Sequence, residues 1–391
     1  MQIQIIQQFL ADNQIDAWFI YDFRGNNPVL SQLLPGKRWT TRRVGLVVPA
    51  RGKPMLAVHR IDAPQFQIPH CDVAVYLTWQ QWRDWLLTHL GGGKTVAMEY
   101  SPGGDLPAVS IADAGIVDHV RSLGARVVSS ADLMQLCVAR WSPEARAAHD
   151  RASRLVDAIK DEAFDLIRAR LRDGQHVDER QVQQHILSRF AAEGLDPADP
   201  PIVAVNAHSA DPHFEVSPTN PAQITRGDWV LIDLWARWPG EEHIFSDITW
   251  VAFAGDRVPE AHQRAFEAVR SARDAALTLA QDAWKTRTPV AGFQLDRAAQ
   301  DVFRSAGYEQ FLIHRTGHSL SPGPKIHGLG VNIDDFETHD TRRLLPGLGF
   351  TLEPAVYLPN QFGCRLEINV YVDEQTGPVV TSGVQREIVL V

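Results

Sequence analysis

Two equally spaced pairs of carboxylates, with one histidine between them, constrain this chain more than any other feature. Asp233 and Asp247 stand fourteen positions apart in VLIDLWARWPGEEHIFSDITWVAF, and Glu353 and Glu367 fourteen apart in FTLEPAVYLPNQFGCRLEINVYV. Each acid lies in an apolar, β-branched run, where burying a lone ionised carboxylate is very costly. Four acids so placed require cations. His318, in HRTGHSL, adds the nitrogen that completes a five-ligand set for two divalent ions. The constellation marks a candidate dinuclear metallohydrolase. Oxygen-rich sites suit Mn²⁺, and the imidazole also admits Zn²⁺ or Co²⁺. Bridging carboxylates screen two cations at the separation of ~3.5–4 Å common in two-metal hydrolases.

At 391 residues the chain is long for one core and predicts two domains. A net charge of -9 speaks against nucleic acid or an anionic membrane as a partner. No apolar run reaches the ~20 residues of a membrane span, and MQIQIIQQFLADNQ lacks the character of a signal peptide. Cys71, Cys137 and Cys364 are scattered, without zinc-type spacing. These features point to a soluble, cytoplasmic protein.

Residues 1–140 read as an α/β domain, with strands at DAWFIYD, VGLVVPA, PMLAVH and TVAMEY and helices at QIIQQFLADNQ, QQWRDWLLTHL and ADAGIVDHVRSLG. The boundary falls near Trp141-Ser142-Pro143, where Ser142 suits a helix N-cap and Pro143 the first helical position. Residues 141–391 read as two successive helix-helix-strand-strand halves. The first has helices ending at Gly174 and Gly194. The second has helices from Pro259 to about Trp284 and from about Leu295 to Ala306, then strands around 350–356, 364–373 and 386–391. Each half carries one carboxylate pair, which predicts a pseudo-twofold α/β domain with the site at its centre.

The blocks AVNAHSADPHF, GDWVLIDLWAR with SDIT, HRTGHSL, TLEPAVYLP and CRLEINVYV resemble, in that order, those of the pita-bread metallopeptidases: prolidase, aminopeptidase P and methionine aminopeptidase. The amino-terminal region resembles the smaller, creatinase-like domain of prolidases and aminopeptidases P. The resemblance implies that Asp233, Asp247, His318, Glu353 and Glu367 are the metal ligands, with Asp247 and Glu367 bridging. It matches His213, His314 and His327 to accessory histidines, and Tyr357 and Arg365 to the residues flanking the two glutamates. The implied reaction is hydrolysis of an Xaa-Pro bond by a metal-bridging hydroxide. His213 or His327 would serve the oxyanion, and Glu353 would pass the proton to the leaving nitrogen. A homodimer acting on small peptides with proline second is the implied assembly. Each histidine also has a plain reading as a loop or surface residue.

The chain departs from that pattern. The intervals from Asp233 to Asp247 and from His318 to His327 are longer than usual. The first carries the tip Pro239-Gly240-Glu241-Glu242-His243, with Trp235 and Trp238 nearby. Between Asp22 and Asp62 there are eight basic residues and no acid. The segment reads as a solvated basic face, or, more sharply, as a contact in which Lys37 and Arg38 hold a peptide's carboxylate. Arg365 is a second candidate for that carboxylate. GGGKT, at 91–95, lacks the earlier glycine of a phosphate loop and reads as a turn before a strand. The expected activity is a prolidase-like dipeptidase. Alternatives are an aminopeptidase P acting on longer peptides, a metal-free creatinase-like hydrolase and a non-catalytic binding protein; five intact ligands argue against the last two.

Overall fold

A computed structural model describes residues 3–34, 36, 38–240 and 242–391. The chain divides into two compact units, Met1–Val138 and Ala139–Val391.

The first unit is a six-stranded mixed sheet between helices. In chain order it contains α1 (Ile3–Asp12), β1 (Ala17–Phe23), α2 (Pro28–Leu33), β2 (Arg43–Pro49), β3 (Met55–His59), β4 (Asp72–Tyr76), α3 (Trp79–Leu90), β5 (Thr95–Met98), α4 (Ala114–Ser122), β6 (Arg126–Ser129) and α5 (Ala131–Val138). The strand order is β4-β3-β2-β1-β5-β6. Strand alternation splits the core in two: Trp18, Ile20, Leu46 and Leu56 enter one apolar cluster, and Phe19, Val47, Ala57 and Val96 the other. Sequence periodicity passes over α2, α5 and β4, the last because it is a largely exposed edge strand.

The second unit begins with α6 (Pro143–Arg172), whose N-cap Ser142 accepts a hydrogen bond from the Ala145 amide. It continues with α7 (Glu179–Glu193), capped by Asp178 and closed by Gly194 at φ 72°. Strands β7 (Ile202–Val205), β8 (Trp229–Ala236) and β9 (Ser246–Phe253) follow, then α8 (Glu260–Thr286) and α9 (Gly292–Ala306). The remainder is β10 (Ser319–Leu320), β11 (Gly349–Leu352), β12 (Ala355–Leu358), β13 (Phe362–Arg365), β14 (Ile368–Asp373), β15 (Gly377–Val380) and β16 (Val389–Leu390). Three sheets result, ordered β16-β9-β8-β7, β10-β11-β14-β15 and β12-β13.

Helix α9 starts earlier than its predicted position near Leu295. Each of the strands expected at 350–356 and 364–373 is broken in two, because the chain leaves β11 after Leu352, folds out as the β12–β13 hairpin, and re-enters as β14. Glu353 and Glu367 occupy those two exits. Among the described residues no helix is long and apolar enough to cross a membrane.

The face on which the site forms follows from strand alternation. Val230, Ile232, Leu234 and Ala236 of β8 join the cluster under α6 and α7. On the opposite face Trp229 and Leu231 are apolar core, and Asp233 and Trp235 continue that same face. Strand β9 mirrors this: Val251 and Phe253 are core, while Thr249 and Asp247 pair with Asp233 and Trp235. Both aspartates therefore project on one side.

Candidate metal centre

Asp233, Asp247 and Glu367 are almost wholly buried, as is His318, and Glu353 is largely so. They line one cavity of about 520 Å³, a size that suits a small ligand. The Nδ1 of His318 lies 3.2 Å from the Ser319 carbonyl, which can only accept, so Nδ1 carries the proton. The lone pair on Nε2 then faces Asp247 Oδ2 at 3.4 Å and Glu353 Oε1 at 3.5 Å. Ligand atoms of Asp247, His318 and Glu367 all lie within 4.8 Å of one another. Glu367 Oε1 is buried without a hydrogen-bond partner among the described residues.

Such converging acceptors repel unless a cation sits among them. Burial, then Glu353, pushes the Asp247 carboxyl well above the ordinary range. Glu367 is likewise raised well above its ordinary range, by burial and then by its neighbour Asp247. Asp233 rises to about 7, by burial, although Arg365 opposes the rise. Glu353 differs: burial pushes it up, but His318, His314 and Arg365 bring it below its usual value. Hard oxygens with one neutral imidazole form the donor set of a divalent transition metal, and the residues present fit such ions.

Residues that sequence reasoning passed over hold this geometry. Thr249 Oγ1 lies 3.0 Å from Asp233 Oδ1 and 2.9 Å from Glu367 Oε2, and accepts from Arg365 Nε at 3.0 Å. Thr351 Oγ1 accepts from the His318 amide at 3.0 Å and lies 3.2 Å from Glu353 Oε1. Asn369 Oδ1 accepts from the Asp247 amide at 3.0 Å. Gly317 is required: a Cβ there would lie 2.1 Å from the Thr351 carbonyl oxygen. The only sequence signal for Thr249 was its place in SDIT beside Asp247; two threonines in apolar strands otherwise read as β-formers.

Arg365 is buried, and each of its three nitrogens has a partner: Thr249 on Nε, the Tyr357 hydroxyl at 2.9 Å on Nη1, and Asp233 on Nη2. Tyr357 continues to His314 Nε2 at 2.8 Å, and His314 Nδ1 meets the Arg315 carbonyl at 2.6 Å. That carbonyl fixes the tautomer, so Tyr357 donates to Nε2 and receives from Arg365. His213 and His327 also line the cavity, nearer its mouth. The His327 ring lies 4.2 Å from that of His318 and is pushed down to about 4, first by that neighbour and then by burial. The loop bearing His213 is tied down by His208, which stacks on Phe214 and whose Nδ1 is 2.7 Å from the buried Glu179 carboxylate.

The remaining candidates lie elsewhere. Lys37 is outside the described residues, as is Glu241 of the hairpin tip. Arg38, in the first unit, donates to the carbonyls of Leu34, Gly36 and Gln65 and lies over the Phe66 ring.

The model of metallopeptidase family M24 matches residues 147–374. The chain is 29% identical over 222 residues to a Mycobacterium tuberculosis protein described as a probable dipeptidase PepE, covering 54% of this chain and 52% of that one. It is 30% identical over 215 residues to a Pyrococcus furiosus protein described as an Xaa-Pro dipeptidase, covering 54% and 55%. These matches span about half the length of those curated relatives. The crystal structure of dipeptidase PepE from Mycobacterium ulcerans superposes with a TM-score of 0.67 at 24% identity, over 100% of this chain and 96% of that one. The fold is thus the α/β pita-bread fold with its smaller preceding domain, and the chain belongs to metallopeptidase family M24.

Proposed function

We propose that this chain is a metal-dependent peptidase of the prolidase type, cleaving the Xaa-Pro bond of dipeptides, with Ala139–Val391 as its catalytic unit. The observation that carries the reading is the buried His318 Nε2 lone pair facing two carboxylate oxygens, with Asp233 and Glu367 completing the set. Asp233, Asp247, His318, Glu353 and Glu367 would hold two divalent ions, Mn²⁺ foremost. When bound, such ions polarise a carbonyl and make water a nucleophile at neutral pH.

The chain's own residues supply the rest. Glu353 remains the most readily ionised of the four acids, because three histidines and Arg365 surround it, and this suits it to take a proton and return it to the leaving nitrogen. Proline's amide nitrogen carries no hydrogen, so it must be protonated to leave. His213 and His327, which line the same cavity, would donate to charge developing on the carbonyl oxygen. Arg365 acts as a positioning residue: its guanidinium ties Asp233 to Tyr357 and, through Thr249, to Glu367.

The test offers Mn²⁺-loaded protein an Xaa-Pro dipeptide and an Xaa-Pro tripeptide in parallel. Hydrolysis is expected to favour the dipeptide, to stop in excess chelator and to return with Mn²⁺. Full activity without bound metal sinks the mechanism. Faster cleavage of the tripeptide makes aminopeptidase P the better reading.

A further inference from the structure

Two permanent cations line the cavity among the described residues, Arg365 at its buried floor and Arg315 nearer its mouth. A dipeptide carries a free carboxylate one residue beyond the scissile bond, so an enzyme preferring dipeptides needs a cation to meet it. Arg365 is a poor candidate, since each of its nitrogens is already engaged within the site.

Arg315 differs in every respect that matters. Its side chain keeps 20% of its exposure, against 6% for Arg365. Nη1 donates to Glu337 Oε2 at 3.3 Å, and the Arg315 amide donates to Glu337 Oε1 at 3.1 Å. Nε and Nη2 have no partner among the described residues. Those two nitrogens form the edge of a guanidinium that grips a carboxylate through two parallel hydrogen bonds. Asp334 Oδ2 lies 3.9 Å from Nη1, but it already accepts from the Thr338 amide and hydroxyl. The backbone holds Arg315 in place: its carbonyl accepts from His314 Nδ1, inside the network that ends at Arg365.

We propose that Arg315 is the specificity-determining residue that binds the free carboxylate of a dipeptide through its Nε–Nη2 edge, with Glu337 as the internal anion that keeps the guanidinium oriented until substrate arrives. The assignment rests on the Xaa-Pro dipeptidase reading. Glu337, with 43% of its side chain exposed, is free to yield.

The experiment compares Ala-Pro with its carboxamide, Ala-Pro-NH2, on Mn²⁺-loaded protein. The unmodified protein is expected to favour the acid. Arg315→Gln should lower the acid-to-amide ratio of kcat/KM by about tenfold or more, chiefly through KM for the acid, as loss of a charge-assisted pair does. Arg315→Lys should recover part of that ratio. Glu337→Gln, which removes the competing anion, should lower KM for the acid. If Arg315 only braces the 334–338 turn, Arg315→Gln and Glu337→Gln depress both substrates alike and the ratio stays put, which overturns the assignment and spares the peptidase reading. Cleavage of neither substrate by the loaded, unmodified protein overturns both.

Discussion

Glu367→Gln should make the chelated protein more stable and the metal-loaded protein no better than before. In the chelated state Asp247, Glu353 and Asp233 all press upon the Glu367 carboxylate, and Arg365 offsets them only in part. Taking one repulsive pair at 4.8 Å, the outer bound for Asp247 and Glu367, an effective dielectric constant near 20 gives about 3.5 kcal/mol. Protonation caps that penalty: neutralising a carboxyl with an ordinary value of 4.5 at pH 7 costs about 3.4 kcal/mol. Both routes lead to the same figure, so removing the charge should return about 3 kcal/mol. Glutamine is well suited to the swap. Its carbonyl keeps the bond from Thr249, and its amide takes the place of the unpartnered Oε1, where it can donate towards Asp247. Loading at a hundredfold excess over Kd adds about 2.7 kcal/mol to a protein that binds the ion, so metal should erase or reverse the variant's advantage. Native-state hydrogen exchange of β8, β9 and β14 amides, with and without chelator, reads this unit alone, and elemental analysis reads the metal. A variant less stable than the unmodified protein in chelator, with metal content intact, refutes the reasoning and makes Glu367 a structural acceptor for Thr249.

Three further outcomes are expected. His213→Ala and His327→Ala should each lower kcat by roughly 10²-fold on Xaa-Pro dipeptide with metal content unchanged, as loss of a charge-stabilising donor does; unaltered kcat in both returns them to the loop surface. Gly317→Ala drives a Cβ into the Thr351 carbonyl and should cost about 1–3 kcal/mol or more, as overpacking does, while displacing His318; full metal binding at unchanged Tm would count against the close approach. His149 is fully buried between the Phe245 carbonyl and Thr381 Oγ1, and burial holds it at about 4 against an ordinary 6.5. The unfolded chain then binds the proton first, so stability is present above pH 6.5 and is lost as pH falls towards 4, by about 3 kcal/mol in all. Chelated His149→Gln should lack that loss, and equal acid sensitivity in the two proteins would remove the assignment.

The site was readable where chemistry leaves few residue types to choose from. Any one acid could be a surface residue or an arginine's partner, but Asp233, Asp247, Glu353 and Glu367 stood out together with His318 in apolar runs, and the structure brings all five to one cavity. The Ser142 cap was equally readable, since it acts within three residues of itself. Thr249 and Thr351 were not, because a threonine in a strand satisfies β-propensity whether or not its hydroxyl is used. The strands expected at 350–356 and 364–373 are present but interrupted, and the breaks escaped the sequence for a related reason. Apolar alternation runs straight through Glu353 and Glu367, yet the ladder breaks where their backbones turn to other partners: the Glu353 amide to the Thr316 carbonyl, and the Glu367 amide to Thr249.

Arg365 shows how sequence proximity misleads when charges are shared across the fold. Two positions from Glu367, it invites a role towards substrate, but its strongest partner, Asp233, is 132 positions away. The floor of the cavity holds four acids, and Arg365 is the one cation beside them among the described residues. With Arg365 in place Asp233 is spared part of the cost of burial, and pulling the guanidinium away towards an incoming carboxylate would expose that cost again. An anionic end of a substrate is therefore better met by a cation whose withdrawal leaves no buried acid unpaired. Arg315 satisfies that condition, because the anion it would release, Glu337, is already half in water.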